Sequence, residues 1–139
     1  MHQIAPMSED QMAIKDAVEK TIAPFDDEYW GKTDETGNWP EEFCDAMAKG
    51  GWLGIAFPEE YGGAGLGLTE AALMMQTVTR SGAGYSGASA IHLNIFGPKP
   101  LEKFGTPEQK QENLPKIISG AEKMCFAVTE PNSGLDTSS

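Results

Sequence analysis

Cysteine, histidine and basic side chains are all scarce in this sequence. Its two cysteines, Cys44 and Cys125, lie far apart and form neither a CxxC pair nor a disulfide framework. Free thiols suit a reducing compartment, so the expected location is cytoplasmic. His2 and His92 belong to no HExxH motif and no zinc-spaced Cys/His group, which leaves no metal centre to expect. Lys and Arg number 10 against 21 Asp and Glu, for a formal net charge of −11. That balance argues against nucleic acid or an anionic membrane as the main partner, because both require basic patches. No apolar run approaches the ~18 residues of a spanning helix. The opening MHQIAPMSEDQ has neither the basic region nor the apolar core of a signal peptide. No GxSxG elbow supports a serine nucleophile, and no GK[ST] completes a phosphate loop.

What the chain does have is helical periodicity. Ser8 and Gln11 stand in capping-box spacing, flanked by Met7 and Met12 at hydrophobic-staple positions. Behind them Ile14, Ala17, Val18, Ile22, Phe25 and Tyr29 recur at three and four, which predicts one amphipathic helix kinked at Pro24. TDETGN (33–38) reads as a loop. Pro40 with Glu41 and Glu42 opens a second helix, which Gly50-Gly51 closes. WLGIAF (52–57) is ambiguous between a buried strand and a buried loop, and PEEYGGAGLG (58–67) is too rich in glycine for regular structure. Thr69 can cap a third helix with Leu73, Met74, Thr77 and Val78 on its buried side. Residues 85–95 read as a fourth helix, apolar nearly all round and therefore buried, ended by Pro98 and Pro100. Thr106, Pro107 and Gln109 start another helix, bent or interrupted at Leu114-Pro115. Only at 124–128 does a strand-like run appear. The fold class is therefore mainly α, with one short closing strand. A lone strand leaves its backbone groups without ladder partners, so it implies a sheet outside this sequence.

Two motifs are candidates for chemistry. Gly82-Ala83-Gly84-Tyr85-Ser86-Gly87 matches GxGxxG, but the dinucleotide fingerprint needs a preceding strand, and TEAALMMQTVTRS is helical in pattern. A close-packed helix-to-helix connection is the favoured reading. The second is Thr129-Glu130-Pro131-Asn132. Pro131 suits the first corner of a turn and Asn132 the second. From the residues alone an ordinary turn comes first. The alternative is an edge whose hydroxyl and backbone N–H groups bond a flat, acceptor-rich ligand. His92 reads first as a packed histidine and second as a pocket residue.

With Val128-Thr129-Glu130-Pro131-Asn132-Ser133-Gly134-Leu135-Asp136 in view, the chain resembles the N-terminal part of an acyl-CoA dehydrogenase. That family carries a VTEP-x-x-G-S-D motif where its middle β-domain begins. Pro58-Glu59-Glu60-Tyr61-Gly62-Gly63 and Phe104-Gly105-Thr106-Pro107-Glu108-Gln109-Lys110 match upstream, in the family's order. The resemblance implies an N-terminal helical bundle over 1–122 and the truncated start of the β-domain over 123–139. It implies FAD in the complete protein, with Phe126, Val128, Thr129, Gly134 and Leu135 at the cofactor-binding positions. Leu135 stands where the family has serine, so that contact is either absent or made by its backbone N–H. Ala88, Ser89, His92 and Leu135 occupy substrate-binding positions.

The implied reaction is α,β-dehydrogenation of an acyl-CoA thioester, with electrons leaving through an electron-transfer flavoprotein. The base, usually a glutamate of a C-terminal helical domain, is expected beyond this chain. The resemblance thus leads us to expect an inactive fragment of an oxidoreductase, a homo-oligomer with no membrane span. A helical interaction module without catalysis and a dinucleotide-binding protein using Gly82–Gly87 stay open beside it.

Overall fold

The computed structural model describes residues 6–135. Among these, seven α-helices follow one another: α1 Glu9–Ile22, α2 Asp27–Thr36, α3 Glu41–Lys49, α4 Leu68–Arg80, α5 Gly84–Phe96, α6 Lys99–Phe104 and α7 Pro107–Ile118. The mainly helical class is as the sequence predicts.

α1 starts on the capping box. The Gln11 N–H donates to Ser8 Oγ at 3.1 Å, and the Ser8 N–H donates to Gln11 Oε1 at 3.1 Å. The single kinked helix expected across Pro24 is instead two helices. Ala23 caps α1, Pro24 has no N–H to continue it, and Asp26 starts α2 by accepting the Tyr29 N–H at 3.0 Å. Trp30 Nε1 closes the corner by donating to the Phe25 carbonyl at 3.1 Å. Much of TDETGN is therefore the last turn of α2, and only Gly37, left-handed at φ 66°, ends it. α4 begins one residue before Thr69. There Glu70 supplies the cap by accepting the Gly67 N–H at 3.1 Å. α7 runs through Pro115 without interruption. The short α6 between Pro98 and Gly105 is a helix that carries no strong sequence signal.

α1 packs along α4, α4 along α5, and α3 against both α1 and α5. Val18, Phe43, Met47, Met74, Val78, Ile91 and Ile95 fill the space between, all with essentially no exposure. Phe25, Tyr29, Trp30 and Phe43 meet edge to face at centroid distances of 4.9–5.5 Å, locking the α1–α2 corner onto α3. A second cluster of Phe57, Leu114 and Ile118 lies under the loop that precedes α4.

That loop resolves the ambiguity of WLGIAF in favour of a buried turn, with a 3₁₀ segment at Trp52–Gly54. The glycine-rich stretch after it folds back along it. The N–H groups of Ala64, Gly65 and Leu66 donate to the carbonyls of Gly54, Phe57 and Ile55 at 3.0, 2.8 and 3.1 Å. Gly63 lies so close to this turn that an added Cβ would come 2.1 Å from the Phe57 carbonyl oxygen.

The strand expected over 124–128 is not formed. Residues 123–129 form no regular element and have no ladder partners among the described residues, and the isolated bridge in this region joins Glu130 to Ser133. The physical reason is the one noted from the sequence: a lone strand has nothing to pair with among the described residues.

Candidate functional site

α5 is the element around which the candidate residues gather. Gly87 allows it to touch α2, since a Cβ there would come 3.3 Å from the Trp30 ring and 2.5 Å from the Ala83 side chain. No strand precedes Gly82 among the described residues; α4 does. The GxGxxG match is therefore a packed helix connection, and the dinucleotide reading fails on its own criterion.

Ala88, Ser89 and His92 stand on α5 at helical spacing. Ala88 is buried in the core, whereas Ser89 and His92 are half-buried. His92 Nδ1 lies 3.0 Å from the Ser89 carbonyl oxygen. A carbonyl only accepts, so in that contact Nδ1 is the donor. Ser89 also lines an open groove of about 680 Å³ between α2, the 37–40 turn and the start of α5, together with Trp30, Asp34, Trp39, Tyr85 and Ser86. Neither Ala88 nor His92 lines it. The three predicted wall residues thus share a helix and not a cavity.

The predicted flavin-facing positions lie apart from that groove. Phe126 and Val128 are 61% and 41% exposed, Thr129 and Gly134 are exposed, and Leu135 projects fully into solvent. The turn itself is as read: the Ser133 N–H donates to the Glu130 carbonyl at 3.1 Å, with Pro131 and Asn132 at its corners. His2 and Asp136 lie outside the described residues.

What sequence reasoning missed is how this stretch is held. Asn94, 7% exposed on α5, donates through Nδ2 to the Ile117 carbonyl at 3.0 Å and to the Glu122 carbonyl at 2.9 Å. Its Oδ1 accepts the Met124 N–H at 3.1 Å. Lys123 bonds both oxygens of Glu41 at 2.9 and 3.2 Å and lies over the Trp39 ring, 5.1 Å from its centroid. The available signal was an asparagine inside an otherwise apolar helix, since a buried carboxamide needs partners.

Whether these residues suit a flavin can be judged from their donors. From Cys125 to Thr129 the backbone N–H groups make no hydrogen bond to other described residues, and the Thr129 hydroxyl is likewise unengaged. Unengaged N–H donors beside exposed Phe126 and Val128 are the groups that the edge of a flat, acceptor-rich heteroaromatic ring would bond. Among the described residues no cluster of His, Cys, Asp and Glu is arranged to hold a metal, and no helix is long and apolar enough to cross a membrane.

Residues 8–121 match the family model described as acyl-CoA dehydrogenase, N-terminal domain. The chain belongs to the acyl-CoA dehydrogenase family. A relative in Bacillus subtilis, named "Probable acyl-CoA dehydrogenase YngJ", is 40% identical over 125 residues, which are 88% of this chain and 31% of the relative. A chain in a structure of the electron transferring flavoprotein of Acidaminococcus fermentans superposes with a TM-score of 0.85 at 32% identity, over 97% of this chain and 35% of that one. An acyl-CoA dehydrogenase complexed with FAD from Bacillus anthracis gives 0.75 at 29% identity, over 94% and 22%. The chain spans about a third of the length of the curated relatives it matches.

Proposed function

We propose that the protein carrying this chain is a flavin-dependent acyl-CoA dehydrogenase, and that these residues supply one side of its flavin site and part of its acyl site. The supporting observation is the family match over 8–121, running directly into a segment of unengaged donors at Cys125–Thr129. The flavoprotein relatives, one of them complexed with FAD, support the cofactor, and the likeness to a chain in an electron transferring flavoprotein structure supports such a protein as redox partner.

FAD, when bound, supplies the acceptor for the hydride that leaves the β-carbon of the thioester. The residues of this chain bind and orient. Thr129 donates its hydroxyl and N–H to the acceptor edge of the ring, while Phe126 and Val128 shield the ring from water. Gly134 brings backbone close without a side chain, and Leu135 donates through its N–H alone. Ser89, on the groove wall, is small enough to leave room for an acyl chain, and Ala88 and His92 share its helix. No side chain of this segment is assigned to take the α-proton; that base comes from elsewhere in the enzyme.

The test is anaerobic addition of acyl-CoA thioesters to the complete, flavin-loaded protein. Loss of the flavin band near about 450 nm on mixing is expected for at least one straight, branched or aryl thioester. An unchanged band with every member of such a panel would contradict the assignment.

A further inference from the structure

The segment assigned to the flavin has almost nothing holding it. After Met124 no hydrogen bond to other described residues restrains the chain through Thr129, and its side chains are largely exposed. The last fixed point is the Met124 N–H, held by Asn94. The same carboxamide ties the end of α7 through Ile117 and the connection through Glu122. One buried side chain therefore bonds three separate points of the backbone that leads out of the helices. Met124 also packs over α5, 3.4 Å from where a Cβ on Gly97 would lie. Lys123 on Glu41 adds a second attachment, but on the surface, where such a pair contributes little.

Asn94 belongs to α5, the helix that carries Ala88, Ser89 and His92. Its amide thus connects the proposed acyl wall to the proposed flavin wall through one rigid element. We propose that Asn94 is a positioning residue, which fixes where residues 125–129 leave the helical domain and so sets the register between those two walls. The inference rests on the flavin-site reading only in what the segment faces; the clamp itself is independent of it. A leucine at 94 would fill the same space for packing, so core filling alone does not account for a carboxamide there.

Two measurements separate the clamp from the reading. The first is amide hydrogen exchange on this chain, with Asn94→Leu to keep volume and Asn94→Ser, smaller, should leucine fail to fold. Exchange at Met124 should accelerate about tenfold or more beyond any factor shared by Met47, Val78 and Ile95, the loss expected for one buried hydrogen bond. A uniform change at all four would show only lower global stability and overturn the clamp. The second is FAD titration and flavin absorption of the complete protein with the same variants. Weaker FAD binding with a displaced flavin band, at unchanged protection of Met47 and Val78, is the expected result. Wild-type binding with an identical band in a variant that has lost Met124 protection would overturn the positioning role and leave the flavin reading intact. Absence of flavin binding by the wild type would overturn that reading and, with it, the register claim.

Discussion

Cys44 and Cys125 look alike in the sequence and differ in the structure. Cys44 is half-buried against α5, its Sγ 3.9 Å from the Ala90 carbonyl, and burial pushes its thiol up to about 11, with Lys123 opposing the shift. Cys125 is exposed. A thiol reagent at pH 8 should therefore modify one equivalent rapidly, and Cys125→Ser should remove that fast phase. Modification of Cys44 should be slow and should keep accelerating above pH 9, toward pH 11, because the reactive form is the thiolate. The sign for stability follows. Folding favours the neutral thiol, so this contribution is intact below the ordinary value of 9.0 and is lost as pH rises through about 11. Two fast equivalents at pH 8 would contradict the packing of α3 against α5. Neither cysteine's surroundings were legible in the sequence, because burial depends on which helix crosses which. Asn94 is legible in principle as a carboxamide in an apolar helix, but apolar periodicity carries no signal for such a polar exception.

At the level of elements, starts were more readable than stops. Ser8 and Thr106 cap their helices by local side-chain chemistry, and both capping boxes form as the spacing predicts. The stop at Pro24 was misjudged because the apolar spacing continues across it. A pattern of threes and fours does not distinguish one bent helix from two helices that share a core. The closing strand was misjudged in the opposite direction: its composition favours extension, but a strand exists only with a neighbour. The loop over 58–67 shows a third case. Its glycines read as too many for regular structure, whereas Gly63 is fixed by close approach to Phe57 and the loop is bonded back at three points. Gly63→Ala should therefore destabilise the chain by about 1–3 kcal/mol or more through backbone collision. Chemical denaturation checks this directly. A midpoint equal to wild type would mean that the loop is not docked as described.

For the whole molecule, the helices share a buried core, while the proposed chemistry lies outside it. Val18, Met74 and Ile91 lie inside one continuous cluster, yet Phe126, Val128 and Leu135 face outward. Neighbouring apolar groups left outside the core suit further protein or ligand surface against them. The family was legible through three ordered motifs, not through any single residue, because among the described residues no metal-holding cluster of His, Cys, Asp and Glu announces a reaction. Thr129 carries the central claim, for its hydroxyl and N–H are the donors assigned to the ring. In the complete protein Thr129→Val keeps the shape and removes the hydroxyl. An acceptor left unsatisfied costs about 1–3 kcal/mol, or roughly 5- to 150-fold in affinity. Leu135→Ala is the control, since its proposed contact is through backbone. FAD titration by flavin fluorescence, with melting curves alongside to separate folding from binding, should show affinity lost in Thr129→Val and nearly unchanged in Leu135→Ala. Equal FAD affinity in wild type and Thr129→Val, with the fold intact, would contradict the account.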